Sequence, residues 1–291
     1  MERCVVKVAT TRWFTLSRTK ALIALGACGL ASCTIPTDTK PAERTTVVVE
    51  TVTEAPTTTT IAHTKTLDIS DILAQYGGTA GIALVDATGT HTAGPLQSDV
   101  AWSTIKVPIV LAATRQGSAD PALVSSAIRA SDNASAQVLW DSLGPQAGSL
   151  VATEIGKVAP APKVVSQVTR PGFSAFGQTQ WALTDQASFG FKLQCHDLAS
   201  SVTPHMGAIS NGGGYGLGTL DQAAFKGGWG PDVNGNYLAR QFGFVQTPRG
   251  TVGVAIAAKA GSYGNDQAML TALAARAQEF IQQQDLGTPA C

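Results

Sequence analysis

Three short elements of the chain carry groups able to transfer an acyl group: Ser103-Thr-Ile-Lys106, Ser131-Asp-Asn133 and Lys226-Gly-Gly228. A serine hydroxyl becomes a strong nucleophile when a neighbouring base takes its proton, and a lysine can be that base once its own pKa is lowered. Ser103 opens an apolar run that reads as a helix, so Lys106 lies one turn away on the same face. Burial lowers a lysine pKa, and so does a second cation nearby, for which Lys226 is the candidate. A serine at a helix N-terminus also has backbone N–H groups without intrahelical partners around it, the donors that an oxyanion needs. The Ser-x-x-Lys spacing is cheap by itself, since Ser17-Arg-Thr-Lys20 repeats it near the N-terminus. Ser131-Asp-Asn133 is more specific, because composition predicts only about 0.016 such tripeptides in the chain. Tyr263-Gly-Asn265 offers a similar pattern, but it follows Lys226-Gly-Gly228 and so falls in the wrong order.

The elements that must position these groups are legible from apolar periodicity. A short helix is expected near Leu67–Tyr76, then a strand over Gly81–Thr90 running into a hairpin turn. Ile105–Ala113, Pro121–Ala130, Asn133–Leu143 and Thr184–Cys195 read as helices. Three strands follow at Ala223–Gly228, Tyr237–Thr247 and Thr251–Ala258. Asp266–Gln284 closes the chain as an amphipathic helix with Met269, Leu270, Leu273, Ala277, Phe280 and Ile281 on one face. Strands, a helical block, then strands and a final helix imply an α+β fold: an antiparallel sheet with a helical insertion between its first and later strands.

With these motifs in this order, the sequence resembles the class A serine β-lactamases and the related penicillin-binding DD-peptidases. The likeness rests on Gly81-Ile-Ala-Leu-Val-Asp-Ala-Thr-Gly, Trp102-Ser-Thr-Ile-Lys-Val-Pro and Ala127-Ile-Arg-Ala-Ser-Asp-Asn-Ala-Ser-Ala-Gln-Val-Leu, and runs over roughly residues 67–285. It implies a β-lactamase/transpeptidase-like fold, a five-stranded antiparallel sheet flanked by helices plus an all-helical subdomain, with the site in the cleft between them. Ser103 would be the acylated nucleophile and Lys106 its base. Ser131 would relay the proton to the leaving nitrogen, and Lys226 would pair with Ser131 and a substrate carboxylate. Asn133 would bind the substrate amide, and Asp132 would be a buried structural carboxylate. Gly228 belongs to the substrate-binding strand, and the backbone N–H groups of Ser103 and Trp229 would form the oxyanion hole. Arg240 matches an arginine that steadies the carboxylate; the alternative is an exposed strand arginine.

Three departures from that pattern matter. Only 28 residues lead from Ser103 to Ser131, so the helical subdomain is expected to be trimmed. The family's Lys-Thr/Ser-Gly has become Lys226-Gly227-Gly228, which removes a hydroxyl for the substrate carboxylate. Counting on from Gly144-Pro145 and Ile155-Gly156, the place of the deacylating glutamate falls near Val165-Ser-Gln-Val168, where there is no acid. Between Asn133 and Cys195 the acids are Asp141, Glu154 and Asp185, and Glu154 is expected to face solvent on a helix. The favoured reading is therefore a serine acyl-transfer enzyme acting on β-lactams or cell-wall peptides, with slow deacylation. A binding module for peptidoglycan or a protein partner, with the cleft kept and turnover lost, is the alternative from another class.

Composition bounds the rest. The 291 residues carry 20 basic and 20 acidic side chains, but residues 1–32 hold five of the basic ones against Glu2 alone. The remainder is mildly acidic, with 15 basic and 19 acidic residues, and nucleic acid is not an expected partner. Residues 1–32 read as a lipoprotein signal peptide: a basic stretch to Lys20, an apolar run Ala21–Leu30 too short to span a bilayer, then Leu30-Ala-Ser-Cys33 as a lipobox. Cys33 would carry the lipid, with Leu25-Gly-Ala-Cys28 a weaker second candidate. Residues 33–66 form a Thr/Pro-rich linker, with 13 Thr and 3 Pro between Thr34 and Thr66, too polar to offset its ordering entropy. The hydrolase-like domain takes residues 67–291, lipid-anchored on the cell-wall side of the membrane. Cys195 and Cys291 are left to form one disulfide in an oxidising compartment. No C-x-x-C occurs, and His63, His91, His196 and His205 form no H-E-x-x-H, so neither a metal nor another cofactor is expected. Replacing Cys33 with Ser should move the protein from the membrane to the soluble fraction; a variant that stays membrane-bound rules out the lipobox at Cys33.

Overall fold

The computed structural model describes residues 66–291, so the leader, the linker and Cys33 lie outside the described residues. Helix α1 (Ser70–Tyr76) leads into the hairpin β1 (Thr79–Asp86) and β2 (Gly89–Ala93), followed by the short strand β3 (Ser98–Val100). The helical block then contains α2 (Lys106–Arg115), α3 (Pro121–Arg129), α4 (Asn133–Asp141) and α5 (Ala147–Gly156). After a long loop come β4 (Gln180–Ala182), α6 (Leu183–Lys192) and a four-residue turn of helix, α7 (Thr203–Met206). The strands β5 (Ala223–Pro231), β6 (Tyr237–Thr247) and β7 (Gly250–Lys259) and the helix α8 (Tyr263–Gln283) complete the chain.

The five long strands pair antiparallel in the order β2-β1-β7-β6-β5. Because the first hairpin joins the last strand, the helical block is an insertion between β1–β2 and β5–β7, as the order of elements implies. Side chains alternate across each strand. Ile82 and Leu84 of β1 and Val254 and Ile256 of β7 join a core under α1 and α8. Ala83, Val85, Ala255 and Ala257 face the other way, into the core shared with α6 and the helical block. Both faces are covered, which is why β7 reads as an almost unbroken apolar run rather than an alternating one. Helix α6 lies tight on the sheet because Gly190 meets the carbonyl of Gly243 at a spacing that leaves no room for a Cβ.

Two features differ from the sequence expectation. Helix α8 starts at Tyr263, three residues early, because the Ser262 side chain caps it by accepting from Asn265 N and because Asp266 Oδ1 accepts from Ala260 N. The pair β3–β4 is unexpected, since three-residue strands about 80 positions apart carry no periodicity to read. The pair places the candidate nucleophile: β3 delivers the chain to Trp102 and Ser103, and Ala101 N donates to Thr179 O at 2.7 Å just beyond the pair.

Cys195 is bonded to Cys291, tying the C-terminus to the end of α6 with a Cα–Cα distance of 5.5 Å. The bond closes a loop with a sequence separation of 96. Replacing both cysteines with Ser should lower the unfolding free energy by about 4 kcal/mol on the chain-entropy argument. Denaturant melts of the oxidised residue 66–291 domain read this directly, and two thiols titrating in the wild-type domain after unfolding would show the pair unbonded.

Candidate active site

The three motifs meet where the edge strand β5 passes the N-terminal ends of α2 and α4. Trp102–Ile105 forms a single 3-10 turn that runs into α2, with Ser103 half-buried on it and Lys106 as the first residue of α2. Lys106 is 1% exposed, and its Nζ donates to the backbone carbonyls of Ser131 (2.6 Å) and Asp132 (3.2 Å) and to Asn133 Oδ1 (2.8 Å). Lys226, equally buried on β5, donates to Ser131 Oγ at 2.8 Å and to the Gly227 carbonyl at 2.8 Å. Ser131 thus stands between the two lysines, its carbonyl on one and its hydroxyl on the other. Ser103 Oγ makes no side-chain hydrogen bond among the described residues and lines the cleft with Lys106, Asn133 and Trp229.

Burial sets the protonation chemistry. It pulls Lys106 down to about 8, against the opposing field of the Asp132 carboxylate. Lys226 is driven well below the usual lysine range, first by burial and then by repulsion from Lys106. Asp132 N-caps α4 by accepting from Ser135 N at 2.6 Å, and its bonds to Ser135 hold its carboxyl below the ordinary range. It is therefore the structural carboxylate of the motif, though only partly buried.

Backbone geometry concentrates here too. Among the described residues four non-glycines have φ in the left-handed region, and two of them are Trp102 (47°) and Ser131 (57°). One precedes the candidate nucleophile and the other is the candidate relay, and such conformations persist only where surrounding bonds enforce them. Gly228 acts by being small: a Cβ there would stand 2.6 Å from Ser103 N and 2.9 Å from Trp102 Cβ. Its part is to let β5 approach the nucleophile's backbone. The carbonyls of Gly227 and Pro231 bond to the side chains of Lys226 and Arg170 rather than to β6. The alternation of an antiparallel ladder then aims the N–H of Trp229 at the same free edge, beside Ser103. The Trp229 indole itself stacks on Tyr263, with centroids 5.4 Å apart.

Solved structures of β-lactamases share this architecture. The β-lactamase of Sphaerobacter thermophilus is similar at 18% identity over 75% of this chain and 97% of its own, with a TM-score of 0.53. That of Chitinophaga pinensis, at 13% identity, covers 72% and 96% with a TM-score of 0.58. A Burkholderia vietnamiensis β-lactamase, at 17%, covers 73% and 94%, also with a TM-score of 0.58. The fold is that of the class A β-lactamases. No family model and no curated protein sequence matches the chain. At such identities the likeness concerns the fold, and chemistry on this β-lactamase fold has to be read from the chain's own residues.

Two sequence expectations need correction. Arg240 is neither a cleft residue nor an exposed one, being fully buried. Its guanidinium donates to the carbonyls of Asp99 (2.6 Å), Val100 (3.1 Å) and Trp181 (2.9 Å) and to Gln186 Oε1 (2.5 Å). Burial lowers its pKa to about 10, so it stays charged at neutral pH, committed to stapling β3 and β4 to the sheet. Glu154 is likewise not a solvent-facing acid. It is 3% exposed and accepts from Arg115 (3.1 Å) and Lys157 (2.8 Å), with His196 Nε2 at 3.0 Å. Burial pushes its carboxyl up, but the Arg115 and Lys157 bonds outweigh that and leave it below the ordinary range. Glu154, His196 and Asp197 could in geometry hold a metal, yet Arg115 and Lys157 already neutralise both carboxylates. Glu154 does not line the cleft, and Ser166 and Val168 of the candidate loop do.

The sequence reading missed the far wall of the cleft. The cavity has a volume of about 750 Å³ and extends from Ser103 between α4 and the loop at residues 166–176. Gln137, Trp140 and Asp141 of α4 and Phe173 and Phe176 of the loop line it. The spacing Asn133, Gln137, Asp141 is the helical signal that could have located that wall. Arg240→Met should destabilise the domain in denaturant melts, because it strips the carbonyls of Asp99, Val100 and Trp181 of a buried partner, at about 1–3 kcal/mol for each buried acceptor left unpaired. A purely substrate-binding arginine would leave stability unchanged.

Proposed function

We propose that this protein is a membrane-anchored, extracytoplasmic serine hydrolase or acyl transferase of the β-lactamase/DD-peptidase type. Ser103 is acylated by β-lactams or by cell-wall peptides and released slowly. The observation that carries this reading is the junction of three motifs distant in sequence: Lys226 Nζ on Ser131 Oγ, and Lys106 Nζ on the Ser131 carbonyl and Asn133 Oδ1, beside the unpartnered Ser103 hydroxyl.

In the acylation step, Ser103 Oγ attacks the carbonyl carbon while neutral Lys106 accepts the hydroxyl proton. The N–H groups of Ser103 and Trp229 receive the oxyanion as the tetrahedral centre forms. When the C–N bond breaks, the nitrogen leaves with the proton of Ser131 Oγ, which Lys226 positions and resupplies. Asn133, its Oδ1 held by Lys106, has its NH₂ left to offer to the substrate amide. Hydrolysis of the acyl-enzyme needs a base on the other side of the ester, and the loop there presents Ser166 and Val168. Losing a positioned general base typically costs about 10²–10⁴-fold in rate. Gly227, which supplies no hydroxyl, weakens substrate binding further. These two departures favour the second reading, a binding module, which the same experiment separates.

Penicillin should add its mass to Ser103 as a persistent adduct, absent from Ser103→Ala, with release far slower than acylation. Rapid steady turnover would mean that a base exists elsewhere, and no adduct at high β-lactam concentration would favour the binding module. The pH profile has a defined sign. Lys106 works as a neutral base, and with its pKa near 8 roughly a tenth of it is neutral at pH 7. Acylation should rise about fivefold from pH 7 to 8 and level off above 9. Lys106→Arg, which cannot lose its proton in this range, should abolish the adduct.

A further inference from the structure

The acylation centre holds no free cation for a substrate carboxylate. Lys106 is the only basic residue among those lining the cavity. Its ammonium has three N–H groups, and the carbonyls of Ser131 and Asp132 and Asn133 Oδ1 take all three. Lys226 gives two of its own to Ser131 Oγ and the Gly227 carbonyl, is 1% exposed and does not line the cavity. Arg170 stacks over the Phe173 ring at 4.1 Å, but its terminal nitrogens bond the carbonyls of Pro231 and Asp232. An anion entering this cleft gives up water without meeting a free charged donor, which is a net cost.

Packing does not force this on β5. Gly228 and Gly230 admit no side chain, since a Cβ would stand 2.6 Å from Ser103 N at the first and 2.6 Å from Trp102 Cζ2 at the second. A Cβ at Gly227 would meet nothing closer than Gln241 Cγ at 3.6 Å, an ordinary contact. No left-handed backbone asks for glycine there either, and glycine weakens a strand. The position lies between Lys226, which bonds the relay hydroxyl, and Gly228 beside the nucleophile, at the end of the site where the leaving group departs. What the strand offers there is apolar. Trp229 shares a face of β5 with residue 227, and its indole stacks on Tyr263, which in turn meets Tyr237 with centroids 5.8 Å apart. Trp229 lines the cavity together with Trp102, Trp140, Phe173 and Phe176.

We propose that the site selects acyl donors that carry no charge beside the scissile bond, and that Gly227 and the Trp229 indole set this preference. The proposal deepens the acyl-transfer reading and rests on it. The substrate class is an amide or ester whose leaving group bears a neutral amide or ester in place of a terminal carboxylate, as a peptide opened at an internal bond does. The leaving group packs on the Trp229 indole. Lys106, Ser131 and Lys226 then keep their mutual bonds, because no anion competes for their donors.

Benzylpenicillin and its methyl ester test this, because they differ only at the carboxylate. With either, Ser103 Oγ bonds to the lactam carbonyl carbon, the C–N bond breaks and the ring nitrogen takes the proton, so the protein gains the mass of the whole molecule. Acylation rates are read from that intact mass and divided by each compound's rate of hydrolysis by hydroxide, which removes the difference in intrinsic reactivity. The ester should acylate the wild-type protein about tenfold faster, the low end of what a missing hydrogen bond to a charged group is worth. Gly227→Ser should cut that ratio about threefold or more by speeding the acid, and Trp229→Ala should cut it by slowing the ester. Gly227→Ser should melt at or above the wild-type temperature, since the strand loses a glycine, so its changed ratio is not a folding defect. An acid that reacts as fast as the ester in the wild type, or a ratio that either variant leaves unchanged, would overturn the proposal. If neither compound modifies Ser103, it is the acyl-transfer reading that fails. The preference is then decided by titrating Ser103→Ala with both compounds and following tryptophan fluorescence: tighter binding of the ester supports it, and equal affinities, tighter binding of the acid or no binding refutes it.

Discussion

Three cations are buried at the seam between the sheet and the helical block, and none takes its hydrogen bonds from a carboxylate. Lys106, Lys226 and Arg240 are each 1% exposed or less. Their acceptors are backbone carbonyls of Gly227, Ser131, Asp132, Asp99, Val100 and Trp181, the hydroxyl of Ser131, and the side-chain carbonyls of Asn133 and Gln186. A buried charge left without partners costs several kcal/mol, so these carbonyls must converge where they do. The convergence fixes the local backbone. Ser131 adopts a left-handed conformation that presents its carbonyl to Lys106 and its hydroxyl to Lys226 at once. Arg240 holds the β3–β4 pair, and through it the approach to Trp102 and Ser103. Site geometry and fold stability are therefore one set of bonds.

The same arrangement explains why the pKa values of the lysines are lowered. Carbonyl partners solvate an ammonium without neutralising it, so the desolvation penalty remains and burial lowers both pKa values. A carboxylate in direct contact would have held Lys106 charged. The nearest one, Asp132, is turned away to cap α4 and opposes the shift only from a distance. Capping the helix and leaving the lysine free to lose a proton are two results of one side-chain orientation.

The legibility of the structure in the sequence is a matter of range. Periodicity locates the long strands and helices, and motif order with the family resemblance brings Ser103, Lys106, Ser131, Asn133 and Lys226 to one cleft. Cys195 and Cys291 pair by elimination. What fails is the assignment of polar side chains whose partners lie far along the chain. Arg240 looks like a strand arginine facing substrate or solvent, because nothing near it in sequence announces carbonyls from residues 99, 100 and 181. Glu154 looks exposed on an amphipathic helix because Arg115, which compensates its burial, comes from another element. The cavity wall beyond Asn133 is written in the spacing of Gln137 and Asp141, but that pattern is common on solvated helices and gains meaning only with the loop at 166–176 opposite.

The members of the site do not weigh equally as indicators of chemistry. Lys106, Ser131, Asn133 and Lys226 satisfy one another, so the fold alone gives a reason for each: remove one and a buried donor or acceptor loses its partner. Ser103 is different. Its hydroxyl bonds to no side chain among the described residues, it sits at the mouth of the cleft beside a lysine with a depressed pKa, and the residue before it carries left-handed strain. No side-chain hydrogen bond among the described residues requires a hydroxyl there. The serine is thus the one residue of the group whose side chain the architecture does not explain. The proposed acyl transfer rests on that residue more than on the network behind it.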